Sequence, residues 1–201
     1  MKKLLKAFSS LSPDRALING VLDNDLATVK RAFARGADAD ALYIYDEKPL
    51  GCFSVSTQEL KTPVLCLALD RSRPEILAEI LSHKPDLMQA RDDYAGFSQG
   101  ALVYALGKLD ESPGKVGQIV SAATYKSLTG NQWHEVFKQA FARPDNAAVN
   151  LLLSNPDSAL IRNEMKAWKK NLDDSGYVGP LTRGFDEAMA RQLKTRRAPA
   201  P

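Results

Sequence analysis

The sequence predicts an all-α chain assembled from repeated helical hairpins, and three observations predict it. The stretch RALINGVLDNDLATVKRAFARGADADA, Arg15 to Ala41, holds two apolar stripes at helical spacing. Ala16, Leu17, Val21 and Leu22 form the first; Leu26, Val29, Ala32 and Phe33 form the second, which Gly36 stops. The pattern then returns three more times along the chain with falling fidelity. Finally, each hairpin has one apolar flank that it cannot bury alone, so the copies must stack.

The other copies align on a small or apolar residue in the first helix. Val21, Ala68, Ala105 and Ala140 are the equivalent positions, separated by 47, 37 and 35 residues. In the first copy Gly36-Ala37-Asp38 follows the second helix, and the second copy has Lys84-Pro85-Asp86 at that place and Thr62-Pro63 at its opening. The fourth, EVFKQAFARPDNAAVNLLLSNPD, places Asp157 as far from Ala140 as Asp38 lies from Val21. With the Thr-Pro opener and the Gly-Ala-Asp turn, residues 13 to 158 resemble the ankyrin-repeat family, whose period is ~33. A tetratricopeptide or HEAT-like array is the alternative. The resemblance implies a solenoid of about four repeats in which inner helices and inter-repeat tips form a concave, partner-binding face.

Taken in order, residues 1–12 read as an N-terminal capping helix, with Leu4, Leu5 and Phe8 on one face. The repeats occupy 13–157. Asn24 and Asp25 stand between the first two helices, where a short polar side chain caps the second. Residues 42–61 are an insertion between repeats one and two. It reads as a β-hairpin: Leu42, Tyr43, Ile44 and Tyr45 form one strand, Cys52, Phe53, Val55 and Thr57 the other, and 47–51 the turn. In repeat three Ser112-Pro113-Gly114 lengthens the loop, and its outer helix is the least regular of the set. Residues 158–195 read as two C-terminal capping helices, about 158–172 and 185–194, and 196–201 as a disordered tail. The whole is expected to be one monomeric domain.

Composition narrows the function. The chain has 27 basic and 24 acidic residues, but eight of the basic ones sit at the ends, in Lys2, Lys3, Lys6, Arg183, Arg191, Lys194, Arg196 and Arg197. An acidic body with basic ends is poor material for a nucleic-acid groove, which needs cations along one face with aromatics for stacking. No run of 18 apolar residues exists, and the apolar start is broken at Lys6 and by two serines. A cytoplasmic location is therefore expected, with export by a route that uses no signal peptide left open. Cys52 and Cys66 are too few for a disulfide framework or a zinc site.

Catalytic material is thin. The two histidines, His83 and His134, stand in no nucleophile, acid/base or metal-ligand pattern; the first falls at a helix end, the second where the opening Thr of repeat four would be. No enzyme activity, cofactor or metal is expected. The expected function is non-enzymatic recognition of a partner protein by an adaptor or inhibitor, the alternative being a secreted effector or toxin-immunity protein that blocks an enzyme with the same groove. Carried over by position, the resemblance assigns the binding face to Asp23, Asp70, Lys108 and Arg143 near the ends of the inner helices. At the tips it assigns Tyr43, Tyr45, Gln58, Glu59, Tyr94, Phe97 and Trp133.

Overall fold

A computed structural model describes residues 12–47, 58–92, 98–143, 145–176 and 185. The protein is mostly helical, with nine α-helices and two small antiparallel sheets among those residues. In chain order they are α1 (Pro13–Leu22), α2 (Leu26–Ala34), β1 (Leu42–Glu47), β2 (Gln58–Pro63), α3 (Val64–Arg71) and α4 (Pro74–Ser82). After them come β3 (Ala90–Asp92), β4 (Ser98–Gly100), α5 (Ala101–Gly107), α6 (Pro113–Ala122), α7 (Gly130–Phe141), α8 (Ala147–Leu153) and α9 (Ser158–Asp174). The chain divides into two compact units. Unit 1 runs to Ala105 and includes Ser112–Ala122; unit 2 holds Leu106–Glu111 and the chain from Ala123 onward.

Unit 1 is built from helices too short to persist alone. Their ends are fixed by named groups. The Ser12 hydroxyl accepts from the Arg15 N–H at 3.2 Å, and Pro13 and Pro74 occupy first-turn positions where no amide donor is needed. The Asp25 carboxylate accepts from the Ala27 and Thr28 amides at 3.0 and 3.3 Å and from the Thr28 hydroxyl at 2.5 Å. Gly20 lets α1 and α2 approach closely, since a Cβ there would lie 3.0 Å from Val29. Helices α1 and α3 form one row, and α2, α4 and α6 a second row packed behind it. Leu17, Val21, Val29, Leu65, Ile76, Leu77 and Ile80 fill the space between, each at most 1% exposed.

The turns after α2 and α4 are tied in the same way. The Asp38 carboxylate accepts from the Asp40 amide and that of Asp86 from the Met88 amide, at 2.9 and 2.8 Å. The Asp86 amide in turn donates to the Asp40 carboxylate at 2.6 Å, and the Gln89 side chain donates to the Asp40 carbonyl at 2.7 Å. Strand β2 runs straight into α3, pairs with β1, and packs beside β3. The second strand of the first hairpin is therefore QELKTP at 58–63, later than expected; the expected strand at 52–57 and the tip lie outside the described residues. Thr62-Pro63 closes that strand and leads into the helix at Val64, and the Thr62 hydroxyl caps nothing. The outer helix of the third copy, α6, is regular over ten residues.

Unit 2 packs α7, α8 and α9 against one another. Helix α7 opens with a capping box: the Thr129 hydroxyl accepts from the Gln132 amide, and the Gln132 side chain accepts from the Thr129 amide. His134 therefore does not open this helix, because Thr129 does so five residues earlier. In the turn before α9 the Asn155 side chain, not Asp157, accepts from a backbone amide two residues on. Helix α9 extends two residues past the expected end at Leu172. Of the expected last helix only Phe185 is described, helical and buried against Phe141; the capping helix at 1–12 and the tail lie outside the described residues, apart from Ser12.

The four positions used to align the copies, Val21, Ala68, Ala105 and Ala140, are all fully buried.

Candidate functional site

The most organised polar cluster lies in unit 1, where the end of α3, the stem of β3 and the middle of α5 converge. The Tyr104 hydroxyl donates to both oxygens of the Asp70 carboxylate, at 2.8 and 3.0 Å. The Arg91 guanidinium lies 4.0 Å from the centre of the Tyr104 ring and 3.7 Å from the Asp70 carboxylate. Burial pushes the Tyr104 phenol up, and the Asp70 carboxylate it serves pushes it further. For Arg91 burial opposes the charge, but Tyr104 and Asp70 outweigh it and hold the group above its ordinary value. The phenol thus stays a donor and the guanidinium a cation across the neutral range. Nearby, the Lys115 ammonium donates to the Leu69 carbonyl at 2.7 Å and closes the end of α3.

These contacts fix three side chains that would otherwise turn freely. Asp70 is among the residues that the resemblance assigns to the binding face; Tyr104 and Arg91 are not. The signal for Tyr104 was there, as a single phenol in the apolar run ALVYALG of an inner helix, where its hydroxyl must find a partner.

The β1–β2 hairpin carries four more of the residues expected at the tips. Tyr43 and Tyr45 stack with ring centres 5.2 Å apart, both half-buried, on the side of the hairpin that carries the buried Leu60 and Thr62. Gln58 and Glu59 pair with Glu47 and Asp46 in the backbone register. Asp23 is exposed at the C-cap of α1, on the helix that packs against α3.

The remaining named residues fall elsewhere. In unit 2 the Arg143 guanidinium forks between Asp110, at 2.6 and 2.7 Å, and Asp145, at 2.9 and 3.3 Å. That clamp, through the Arg143 hydrogen bonds, holds both carboxyls below their usual range. Lys108 pairs with Glu111 at 2.8 Å. Trp133 must be removed from the face: it is 4% exposed, stacked between Tyr125 and Phe137 with ring centres 5.6 and 5.0 Å away. An aromatic at the start of an amphipathic helix fits an anchor and a core residue equally well, and here packing takes it inward. Tyr94 and Phe97 lie outside the described residues.

Both histidines are engaged in packing contacts. His83 stacks on Phe33 at 3.8 Å and lies 3.7 Å from Glu79, at the C-cap of α4. His134 accepts the Trp168 indole N–H on Nδ1 at 3.0 Å. Burial pushes the Cys66 thiol up to about 12, so it is no nucleophile at neutral pH. Among the described residues no group of His, Cys, Asp and Glu is placed to hold a metal ion, and no helix is long and apolar enough to cross a membrane.

Comparison with protein-family models, with curated proteins and with solved structures finds no match to this chain.

Proposed function

We propose that this chain is a non-enzymatic protein-recognition module of the ankyrin-repeat kind, and that unit 1 carries its binding face. The observation that carries the reading is the pinned cluster of Asp70, Tyr104 and Arg91 at one end of a helix row, with the stacked Tyr43 and Tyr45 on the hairpin of the same unit. Tyr and Arg are the residue types that most often dominate binding energy. Holding them in place before the partner arrives lowers the ordering cost of association. The ankyrin-like part of the reading is supported by the two helix rows, by the matching Asp38 and Asp86 turns, and by the burial of the four aligned positions. The face then comprises Asp23, Asp70, Arg91, Tyr104, Tyr43 and Tyr45.

The test is affinity for a partner captured from the native host and then purified. Arg91→Ala, and separately Tyr43→Ala with Tyr45→Ala, should each weaken binding by about 30-fold, equivalent to ~2 kcal/mol, with little change in Tm. Full affinity in both variants would place the partner elsewhere. A lowered Tm with affinity intact would make the tyrosine pair a packing feature only.

A further inference from the structure

The chain has two histidines, one in each unit, and they meet a proton in opposite ways. His134 stands on α7, and its Nδ1 accepts the Trp168 indole N–H at 3.0 Å. A neutral imidazole with a bare lone pair on Nδ1 keeps its one proton on Nε2. The next proton goes to Nδ1 and removes the acceptor. An imidazolium therefore sets two N–H donors against each other, and Trp168, 6% exposed, is left with a buried donor and no partner. His134 itself is only half-buried, so a proton has access to it.

The surroundings of His134 do nothing to offset that charge. Among the described residues no carboxylate comes within ion-pair distance of its ring. On α7 its neighbours are Glu135 and, one turn on, Lys138, both exposed. On α9 Glu164 and Lys169 flank Trp168, and Lys169 is taken up by Asp173 at 2.7 Å. Helix α8, AAVNLLL, has no ionisable side chain. The Tyr125 phenol, on the ring stacked against Trp133, is pushed up by burial and stays neutral. His83 differs at each point. Its ring lies on Phe33 at 3.8 Å, and its Nε2 is 3.7 Å from the Glu79 carboxylate, which Lys30 of α2 shares at 3.7 Å. A proton on His83 gains that carboxylate and breaks no side-chain hydrogen bond among the described residues.

We infer that the bond between His134 and Trp168 is an acid-sensitive latch: protonation of the imidazole frees the indole and loosens α7 against α9, while unit 1 keeps its packing. The bond contributes stability only while Nδ1 is bare. That contribution is whole above the range in which a histidine of an unfolded chain charges, ~6.5, and is lost as pH falls below it. Trp168 also packs on Phe137 and Phe141, so both α7 and α9 feel its release. Such a latch answers the step from a neutral to a mildly acidic medium, and it stands independently of the partner-recognition reading.

The experiment uses the full chain. Hydrogen exchange at about pH 7.5 and about pH 5.5, both above the carboxylate range, reads the two units side by side once corrected for intrinsic rates. Protection in α7 and α9 should fall several-fold in acid, about tenfold being the most that one linked proton gives over a pH unit. Protection in α1 to α4 should change by less than about twofold, because His83 loses no bond on charging. Trp133 and Trp168 both lie in unit 2, so urea unfolding followed by tryptophan fluorescence should show the same loss there. His134→Asn keeps an acceptor near the Nδ1 position and cannot charge, and it should abolish the difference between the two pH values. Trp168→Phe keeps a ring and removes the donor, so it should abolish the difference from a lower starting stability. His83→Gln should leave the response of unit 2 as it is in the unaltered chain. Unit 2 protection that is equal at both pH values overturns the inference, as does a difference that survives in either His134→Asn or Trp168→Phe, or an equal loss in unit 1. The Trp168 indole N–H resonance of the unaltered chain should move as the pH is lowered; one that stays in place overturns the inference without recourse to any variant.

Discussion

The two units solve the same problem, how to hold short helices, with different chemistry. Unit 1 has an aliphatic core of Leu, Ile and Val and spreads its cohesion over many small polar links, from Asp25 at a helix start to Asp40 and Asp86 between turns. Unit 2 has an aromatic core in which ring contacts run from Tyr125 to Trp133, Phe137, Trp168, Phe141 and Phe185 in turn. Its Trp168 is the hub, stacked on Phe141 at 5.5 Å, tilted against Phe137 at 5.6 Å and donating to His134. Distributed links leave unit 1 with no single contact on which its cohesion turns. A single hub concentrates the stability of unit 2 in one side chain.

The sharpest way to break that contrast is Trp168→Ala. It deletes a buried indole and leaves the His134 acceptor unpaired, and it should cost ~3–5 kcal/mol. Hydrogen-exchange protection should collapse in α7, α8 and α9 while α1 to α4 keep theirs; equal loss in both places would mean the hub holds the whole chain. Leu67→Ala is the counterpart in unit 1, at a residue 4% exposed, and should cost ~2–5 kcal/mol. Chemical denaturation gives the size, and exchange should show the loss centred on α3 and its packed neighbours.

The smallest effect should come from Asp25→Ala, which removes a helix cap and should cost ~0.5–2 kcal/mol near neutral pH. Asp25 is held below its usual range, first by the Thr28 hydroxyl, so it stabilises the fold above the unfolded carboxylate value of ~3.9. That contribution is lost as pH falls through the depressed folded value. Denaturation of both proteins near pH 7 and near pH 2 should therefore show the gap closing in acid; a gap that stays constant would assign the cap no dependence on charge.

Much of the helical framework was legible because short-range rules decide it. The cap at Asp25, the stop at Gly36 with φ of 85°, and the apolar faces through Val21, Ala68, Ala105 and Ala140 depend on spacing alone. The position of β2 was not, because QELKTP is mostly polar and has Leu60 as its one large aliphatic side chain, too little to mark a period. Of the candidate face, Asp70 could be read from its place at a helix end. Its partnership with Tyr104 and Arg91 could not, since it joins residues 34 and 21 positions further along the chain. Trp133 and His134 misled for one reason: both were read by their nearness to a loop, while contacts with Tyr125, Phe137 and Trp168 decide where they point.

Cys66 gives unit 1 a built-in clock. Its thiol is buried in α3 among aliphatic side chains and stays protonated at neutral pH, so an alkylating reagent meets it only during moments when that unit opens. The chain's other cysteine is Cys52, so unit 2 carries no thiol and contributes nothing to the signal at residue 66. The rate at which Cys66 becomes modified, read by mass at that one residue, converts directly into the opening free energy of unit 1 in the intact protein.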